Sequence, residues 1–237
     1  MLKKDITKSE IKLLRSLGEK KFREETGLFT VEGEKMVREA EQSDFVVRAV
    51  WRKEDIGEEA MSRISQFSTP SPVLALVEKP GNVKPEGDFA LALDAVRDPG
   101  NLGTIIRIAD WFGVRTVYMS ADTVEAFNPK VIQSSMGSIF RIRLITCDIP
   151  ELCRSFKVRG LPVYGTLLDG QNIYSQELEA RGLIVMGNES NGISPAVRAE
   201  LDHGLLIPQA PGGGAESLNV AVATAVTLSE FRRSSLK

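Results

Sequence analysis

The segment LALDAVRDPGNLGTIIRIADWF, residues 91–112, constrains the fold more than any other part of the chain. Its apolar run ends abruptly at Val96, a turn of polar and small residues follows, and an amphipathic stretch then carries Arg107. A strand, a glycine-containing turn and a helix in that order are typical of a ligand-binding loop in an α/β fold. This segment therefore predicts a ligand site at the end of a strand.

The region after residue 88 alternates short apolar runs with helical patterns. This alternation predicts a buried parallel sheet that helices cover on both faces, with ligands bound beyond the carboxyl ends of its strands. The predicted strands are 89–96, 116–120, 141–147, 162–168, 183–188 and 203–209, and a helix is predicted over 221–231.

The first 80 residues predict a small α/β unit. The predicted elements are helices over 9–24 (with Ser9 as a candidate N-cap), 34–42 and 54–67, and strands over 28–33, 45–52 and 71–79. The stretch PGNVKPEGD, residues 80–88, contains two prolines and two glycines and is the best candidate for a linker. We therefore predict a domain over 1–80, a linker over 81–87 and a second domain over 88–237.

Composition excludes several classes of function. The formal net charge is −2, so any binding of nucleic acid must depend on local basic patches. The two cysteines, Cys147 and Cys153, have no metal-ligand spacing, and the single histidine, His203, makes a zinc site or a Ser-His-Asp triad improbable. With no apolar run long enough for a membrane span and no secretory signal, we expect a cytoplasmic protein without a metal.

Two common nucleotide-binding patterns are missing from the sequence. Gly100 and Gly103 do not have the GxGxxG spacing of a dinucleotide fold, and no GxxxxGK[ST] loop is present. The loop after Val96 therefore predicts neither a Rossmann-type cofactor nor a nucleoside triphosphate.

Three strand ends carry motifs that resemble one known family. They are DPGNLGTIIR (98–107), GNESNG (187–192), and Ile207-Pro208 followed by ESLNVAVA (216–223). Together and in this order, they are similar to the three motifs of the SpoU (TrmH-like) branch of the SPOUT RNA methyltransferases. The N-terminal segment KLLRSLGEKKFREETGLFTVEGEKMVREA resembles the ribosomal-protein-like substrate-binding domain that often precedes them.

This resemblance implies a fold and an activity that composition does not reveal. The fold would be α/β: a C-terminal parallel-sheet domain knotted as a trefoil, after a small α/β RNA-binding domain. The cofactor would be S-adenosylmethionine (AdoMet), the acceptor a ribose 2′-hydroxyl of RNA, and the assembly a homodimer. By analogy with the N-terminal domain type, rRNA is a more probable substrate than tRNA.

The resemblance also assigns site residues. The predicted catalytic residues are Arg107, Asn101, Glu189, Ser217 and Asn219. The predicted cofactor-binding residues are Thr166, Leu167, Gly187, Ile207, Pro208, Gln209 and Leu218. Because an arginine stays charged in proteins, we interpret Arg107 as orienting the ribose and stabilising the incipient alkoxide. The proton would leave through a phosphate oxygen, a water or the arginine itself.

Simpler roles stay open for several of these residues. Asn101 could only cap a helix that begins near Leu102, and Ser217 could only cap the last helix. Glu189 could be a surface loop acid. His203 is expected to be structural. The link APGGGA after Gln209 is longer than the family pattern, which leaves the rim of the adenine pocket less defined than its floor.

Local basic residues offer candidate RNA contacts. The first 23 residues contain Lys3, Lys4, Lys8, Lys12, Arg15, Lys20, Lys21 and Arg23. Arg141 and Arg143 could face a second RNA surface or solvent. Three rivals to a ribose methyltransferase remain: a non-catalytic RNA-binding protein that keeps the fold, an enzyme that methylates a base, and a protein that binds a small molecule.

Overall fold

The structure is a computed structural model that describes residues 2–233. These residues form two compact units. The first unit contains the residues up to Asn82 together with Glu125–Arg141, and the second contains Val83–Val124 together with the residues from Ile142 onward. Nothing in the sequence pattern predicted that Glu125–Arg141 would pack with the first unit.

The elements are numbered in chain order. The strands are β1 (Leu2–Lys3), β2 (Leu28–Glu32), β3 (Val47–Arg52), β4 (Val73–Glu78), β5 (Phe89–Leu93), β6 (Thr116–Met119), β7 (Arg143–Thr146), β8 (Val163–Asn172), β9 (Gly182–Met186) and β10 (His203–Leu206). The helices are α1 (Lys8–Ser16), α2 (Lys20–Thr26), α3 (Glu34–Glu41), α4 (Lys53–Ile56), α5 (Glu58–Ile64), α6 (Pro99–Trp111), α7 (Pro129–Ser135), α8 (Ile149–Val158), α9 (Pro195–Arg198) and α10 (Val220–Arg232). Short 3₁₀ turns cover Ser138–Phe140 and Ile173–Ser175.

The first unit is built on a sheet with the strand order β1-β3-β4-β2. Strand β4 pairs antiparallel with both of its neighbours, and every residue of Val73–Val77 is buried. The side chains of α1 and α5 pack on one another and on this sheet, where Leu14, Met61 and Ile64 are fully buried. This apolar cluster forms the core of the unit.

Two predicted helices of the first unit are each broken in two. The helix predicted over 9–24 ends at Ser16 and restarts at Lys20, because Glu19 takes an extended conformation. The helix predicted over 54–67 is interrupted at Gly57, whose φ of 83° is a left-handed conformation that favours glycine. Ser9 is not the N-cap: the cap is Thr7, which forms a capping box with Glu10.

The second unit contains the predicted parallel sheet, which is confirmed. Its strand order is β10-β8-β9-β5-β6-β7, and every pair is parallel. Helix α8 packs on one face, in a cluster that includes Ala90 and Ala92. On the other face the ring of Phe89 lies 5.6 Å from that of Phe231 in α10. Helices therefore cover both faces, as continuous apolar strands require.

The pairing of β8 with β10 contains a wide irregularity. Gly165 pairs with Gly204, but the next residue of β10, Leu205, pairs with Gln171. Five residues of β8, 166–170, thus have no partner in β10. This bulge forms at the carboxyl end of the sheet, where the candidate site lies. The trefoil knot stays a prediction of the resemblance.

Candidate active site

A cleft of about 280 Å³ opens at the carboxyl ends of β8, β9 and β10. Its walls come from the bulge of β8, the loop after β9 and the segment that leads into α10. The lining residues are Thr166, Leu167, Leu168, Met186, Gly187, Asn188, Glu189, Ser190, Gly192, Leu205, Leu206, Ile207, Glu216, Ser217, Leu218, Val220 and Ala223. The cleft therefore lies where ligands bind in parallel α/β sheets.

Most of the predicted cofactor residues line this cleft. They are Thr166, Leu167, Gly187, Ile207 and Leu218. Pro208 and Gln209 are not among the lining residues. Instead, the Gln209 side chain donates from Nε2 to the Ala215 carbonyl at 2.8 Å and closes the APGGGA link into a small loop.

The loop after β9 is a tight turn organised by Asn188. The backbone N–H and C=O of Asn188 pair with those of Gly192, and the Asn188 side-chain oxygen accepts from the backbone N–H groups of Ser190 and Asn191, both at 3.0 Å. A Cβ on Gly187 would lie 2.2 Å from the Gly192 carbonyl carbon, so only glycine fits there. The turn thereby presents its backbone to the cleft.

Glu189 connects this turn to the loop that follows β5. Its carboxylate accepts from the backbone N–H groups of Arg97 (3.2 Å) and Asp98 (3.1 Å) and from the Asn101 side-chain amide (3.0 Å). Desolvation raises the pKa of the Glu189 carboxyl, but these hydrogen bonds together lower the pKa below its ordinary value. Glu189 is therefore an ionised anchor of two loops rather than a free surface acid.

Asn101 lies in the first turn of α6 and does not cap it. The N-cap is Asp98, whose carboxylate accepts from the Asn101 backbone N–H at 2.8 Å, and Pro99 begins the helix. The Asn101 side chain is therefore free for other partners. Its amide group donates to Glu189, and its oxygen accepts from Asn219 at 2.8 Å.

Asn219 is the third member of this series of hydrogen-bonded side chains, and it also caps the start of α10. Its side-chain oxygen accepts from the backbone N–H groups of Ala221 and Val222, so Asn219, and not Ser217, is the N-cap of the last helix. Ser217 is exposed and lines the cleft. Three predicted catalytic residues, Glu189, Asn101 and Asn219, are thus joined by direct hydrogen bonds.

Arg107 lies farther along α6, about 9 Å from Asn101 along the helix axis. Its side chain is exposed and forms no ion pair or hydrogen bond with any residue that the structure describes. It does not line the cleft. The guanidinium is therefore available to an external anion.

Two further residues organise the loop after β5, and the sequence analysis did not single them out. Ala95 has a φ of 60°, and its carbonyl accepts from the Asn188 side-chain amide at 2.7 Å. Asp94 is buried, and its carboxylate accepts from the Ser194 backbone N–H at 2.7 Å. An acidic residue at the end of an apolar strand is the one signal that could have marked Asp94.

The cysteines and the histidine lie outside the cleft. Burial raises the pKa of the Cys147 thiol to about 11 and that of Cys153 to about 12, so both are protonated at neutral pH. The His203 ring stacks on Tyr164 at 5.1 Å. Among residues 2–233, no group of three or more His, Cys, Asp or Glu side chains could hold a metal ion.

The candidate RNA-binding cations differ in their availability. Arg23 is only 2% exposed and forms an ion pair with Glu125 at 2.6 Å, so it is not a phosphate contact. Arg141 and Arg143 pair with Glu39 and Glu86, respectively. On α1, by contrast, an exposed basic stripe has no acidic partner within the described part of the chain; it consists of Lys8, Lys12 and Arg15.

Similarity to known proteins covers nearly the whole chain. The model of the SpoU rRNA Methylase family matches residues 88–229, and that of the MRM3-like substrate binding domain matches residues 8–69. The 23S rRNA (guanosine(2553)-2′-O)-methyltransferase RlmP of Bacillus subtilis is 33% identical over 239 residues, which cover 94% of this chain and 96% of that protein.

Two solved structures share the fold over their full length. A TrmH-family protein from Porphyromonas gingivalis is 38% identical, with a TM-score of 0.88 over 97% of this chain and 99% of its own. An AdoMet-bound rRNA methyltransferase from Sinorhizobium meliloti is 29% identical, with a TM-score of 0.88 over 100% of this chain and 99% of its own. No helix within residues 2–233 is long and apolar enough to cross a membrane.

Proposed function

Because the chain belongs to the SpoU rRNA methylase family, we propose that it transfers a methyl group from AdoMet to a ribose 2′-hydroxyl of rRNA. The observation that carries this proposal is the hydrogen-bonded chain Glu189–Asn101–Asn219. Glu189 lines the cleft, and Asn101 and Asn219 stand at the first turns of two long helices. The hydrogen-bonded side chains thus connect the cleft to the helix that carries Arg107.

The residues of the cleft fit the adenine of AdoMet. Leu167, Ile207 and Leu218 offer apolar surface for an adenine ring, and the glycine turn after Met186 offers backbone polar groups at close approach. When bound, AdoMet supplies an electrophilic methyl group on a sulfonium. We assign Gly187, Ile207 and Leu218 to cofactor contact, with Thr166 and Leu167 beside them, and Pro208 and Gln209 to the rim.

Arg107 acts on the ribose. A guanidinium stays protonated in proteins, so Arg107 stabilises the negative charge that develops on the 2′-oxygen as its proton leaves. Since Arg107 has no partner in the described structure, its charge is not neutralised before RNA binds. Glu189, Asn101 and Asn219 hold the start of α6, and Ser217 contacts the RNA from the edge of the cleft.

The first unit supplies the RNA contacts. We assign phosphate binding to the α1 stripe of Lys8, Lys12 and Arg15, because these exposed cations lie along one side of the helix. The rRNA preference rests on RlmP of Bacillus subtilis, which is named for 23S rRNA. The domain limits 1–80 and 88–237, with the linker 81–87, belong to this proposal as limits along the sequence, while Glu125–Arg141 packs with the first unit. A cytoplasmic location belongs to the proposal as well.

The second unit forms a homodimer in this proposal. Helices α6 and α10 run side by side, joined by Asn219 to Asn101 near one end and by Arg232 Nε to the Phe112 carbonyl (2.9 Å) at the other. Large apolar side chains are exposed on both helices: Trp111 is 84% exposed and Val222 is 51% exposed. We assign Trp111, the more exposed of the two, to the contact with a second copy.

Methyl transfer from radiolabelled AdoMet to 23S rRNA and, separately, to tRNA tests the function. We expect label in the rRNA, in dinucleotides that resist alkali because the 2′-oxygen is blocked. Arg107→Ala should lower kcat about 100-fold or more. Arg181→Ala, an exposed arginine before β9, is the matched control and should leave the rate unchanged.

Each of the other outcomes would point to a different function for this chain. Label found on a base, with none in alkali-resistant dinucleotides, would identify a base methyltransferase. Label in tRNA alone would show that tRNA, and not rRNA, is the substrate. Absence of both label and AdoMet binding in the folded protein would overturn the proposal in favour of a non-catalytic RNA-binding protein.

A further inference from the structure

The loop that carries the catalytic residues is held from behind by the segment Ser120–Val124. Four hydrogen bonds connect this segment with residues 93–96. They are Ser120 N–H to the Leu93 carbonyl (3.0 Å), Thr123 Oγ1 to the same carbonyl (3.2 Å), Ala95 N–H to Ser120 Oγ (2.9 Å) and Val124 N–H to the Val96 carbonyl (2.9 Å). Residues 93–96 lead directly into the turn that Glu189 anchors.

The conformation of this turn depends on its anchors. Ala95 takes a φ of 60°, which costs a non-glycine residue free energy and persists only where neighbours hold it. Its backbone N–H is held by Ser120 and its carbonyl by Asn188. Loss of the Ser120 contact would therefore change the population of the turn, and with it the position of Asn101.

The residue after Val124 begins a segment that packs with the first unit. Glu125 accepts from Arg23 (2.6 Å) and Lys79 (2.7 Å), and Arg23 also donates to the Leu17 carbonyl at 2.7 Å. The exposed fractions of the Arg23 and Glu125 side chains are 2% and 13%. Arg23 is thus buried, Glu125 and Lys79 are mostly buried, and each cation pairs with Glu125.

Aromatic packing fixes the same segment a second time. The Phe127 ring lies 4.7 Å from that of Phe29, and the Phe140 ring lies 5.2 Å from that of Phe45. Lys79 lies over Phe127 at 5.5 Å. The start of Glu125–Arg141 is therefore held within the first unit by ion pairs and by aromatic contacts. The residue before it, Val124, ends the segment that is bonded to residues 93–96 of the second unit.

We propose that Arg23, Glu125 and Lys79 are positioning residues for methyl transfer, which act through Ser120–Val124 on the turn before Asn101. Glu125 follows Val124 directly in the chain, so a displacement of Glu125 acts on the segment that holds the catalytic turn. The catalytic meaning of this coupling rests on the proposed function, but the coupling itself is a property of the folded protein.

Hydrogen exchange of the backbone amides tests the coupling without any substrate. Arg23→Lys keeps the charge but loses the two-pronged contact with Glu125. We expect exchange at the Ala95 and Val124 amides to accelerate roughly 3- to 30-fold, while the amides of β9 keep their rates. Ser120→Ala removes the acceptor of the Ala95 N–H directly and should accelerate exchange at the same amides.

Ile64→Val is the matched control. It removes a methyl group from a core cluster of the first unit that contains no residue of Glu125–Arg141. It should accelerate exchange within the first unit and leave Ala95 unchanged. If Arg23→Lys behaves like Ile64→Val, the proposal is overturned.

Two more measurements keep the result unambiguous. Should Arg23→Lys fail to fold, Lys79→Met removes the less buried partner of Glu125 and is read in the same way. In the methyl-transfer assay on 23S rRNA, Arg23→Lys should lower kcat with the affinity for AdoMet unchanged. If the wild-type protein transfers no methyl group, the proposed function is wrong. If exchange at Ala95 is unchanged in Arg23→Lys, only the coupling is wrong.

Discussion

The side-chain amide of Asn219 donates a hydrogen bond to the side-chain oxygen of Asn101 at 2.8 Å, across 118 residues of sequence. Asn101 in turn donates to Glu189 at 3.0 Å. A side-chain amide accepts from one neighbour and donates to the other at the same time, whereas a carboxylate at this position could only accept. The two partners of Asn101, Glu189 and Asn219, therefore require a side chain that both donates and accepts at this position.

Asn101→Asp should place two carboxylates in contact, because the new acid would face Glu189. We expect a loss of about 1–3 kcal/mol in the free energy of unfolding at pH 7. The loss should shrink as the pH falls and one carboxyl binds a proton. Urea unfolding between pH 4 and 7 measures this, with Asn191→Asp, an exposed residue of the same loop cluster, as control. A deficit independent of pH would show that Asn101 and Glu189 do not touch in solution.

Glu189→Gln should change how stability depends on pH. The folded-state pKa of Glu189 is lowered, so its contribution to stability is fully present above the ordinary value of 4.5 and is lost as the pH falls through the folded-state pKa. The difference in unfolding free energy between wild type and Glu189→Gln should therefore be largest near pH 6–7 and decline below about pH 4.5. A constant difference across this range would contradict the anchoring role.

Ala95→Gly should stabilise the protein by about 1 kcal/mol, since glycine adopts positive φ without the steric cost that alanine pays. Ala92→Gly, three residues earlier in the buried strand, is the matched control and should destabilise it. Thermal unfolding of both variants gives the comparison. Equal destabilisation by both would mean that Ala95 is not left-handed in solution.

Trp111→Glu should convert a dimer into a monomer, because it replaces the large apolar side chain assigned to the contact between copies with a charge. Sedimentation velocity at micromolar concentration measures the change. Val158→Glu, which alters an apolar residue that is 88% exposed on α8, should leave the mass unchanged. A wild type that sediments as a monomer would remove the dimer from the proposal.

The strands of the sheet could be predicted because each is a short apolar run, and their carboxyl ends brought the three motifs together. The breaks at Glu19 and Gly57 could not be placed from the apolar pattern, because apolar residues lie on both sides of each break. The roles of Asp98 and Asn219 as N-caps were missed for a related reason: two polar residues lie near each helix start, and only backbone geometry decides between them.

The side-chain contacts of the site lay beyond the sequence. The motifs name Glu189 and Asn101 but not their contact, which depends on how the loop after β9 turns at Asn188. The bulge 166–170 is likewise invisible, because the residues before and after it continue one strand. Local pattern predicts elements well and predicts long-range partners poorly.

The packing of Glu125–Arg141 decides how the chain can be cut. A protein ended after residue 80 would keep Phe29 and Phe45 but lose the rings of Phe127 and Phe140 that cover them. The remaining methyltransferase half would contain Phe127 and Phe140 without their partners, so both rings would be exposed to solvent. The halves of this chain are therefore not interchangeable modules: grafting one onto another protein requires carrying over a piece of the other.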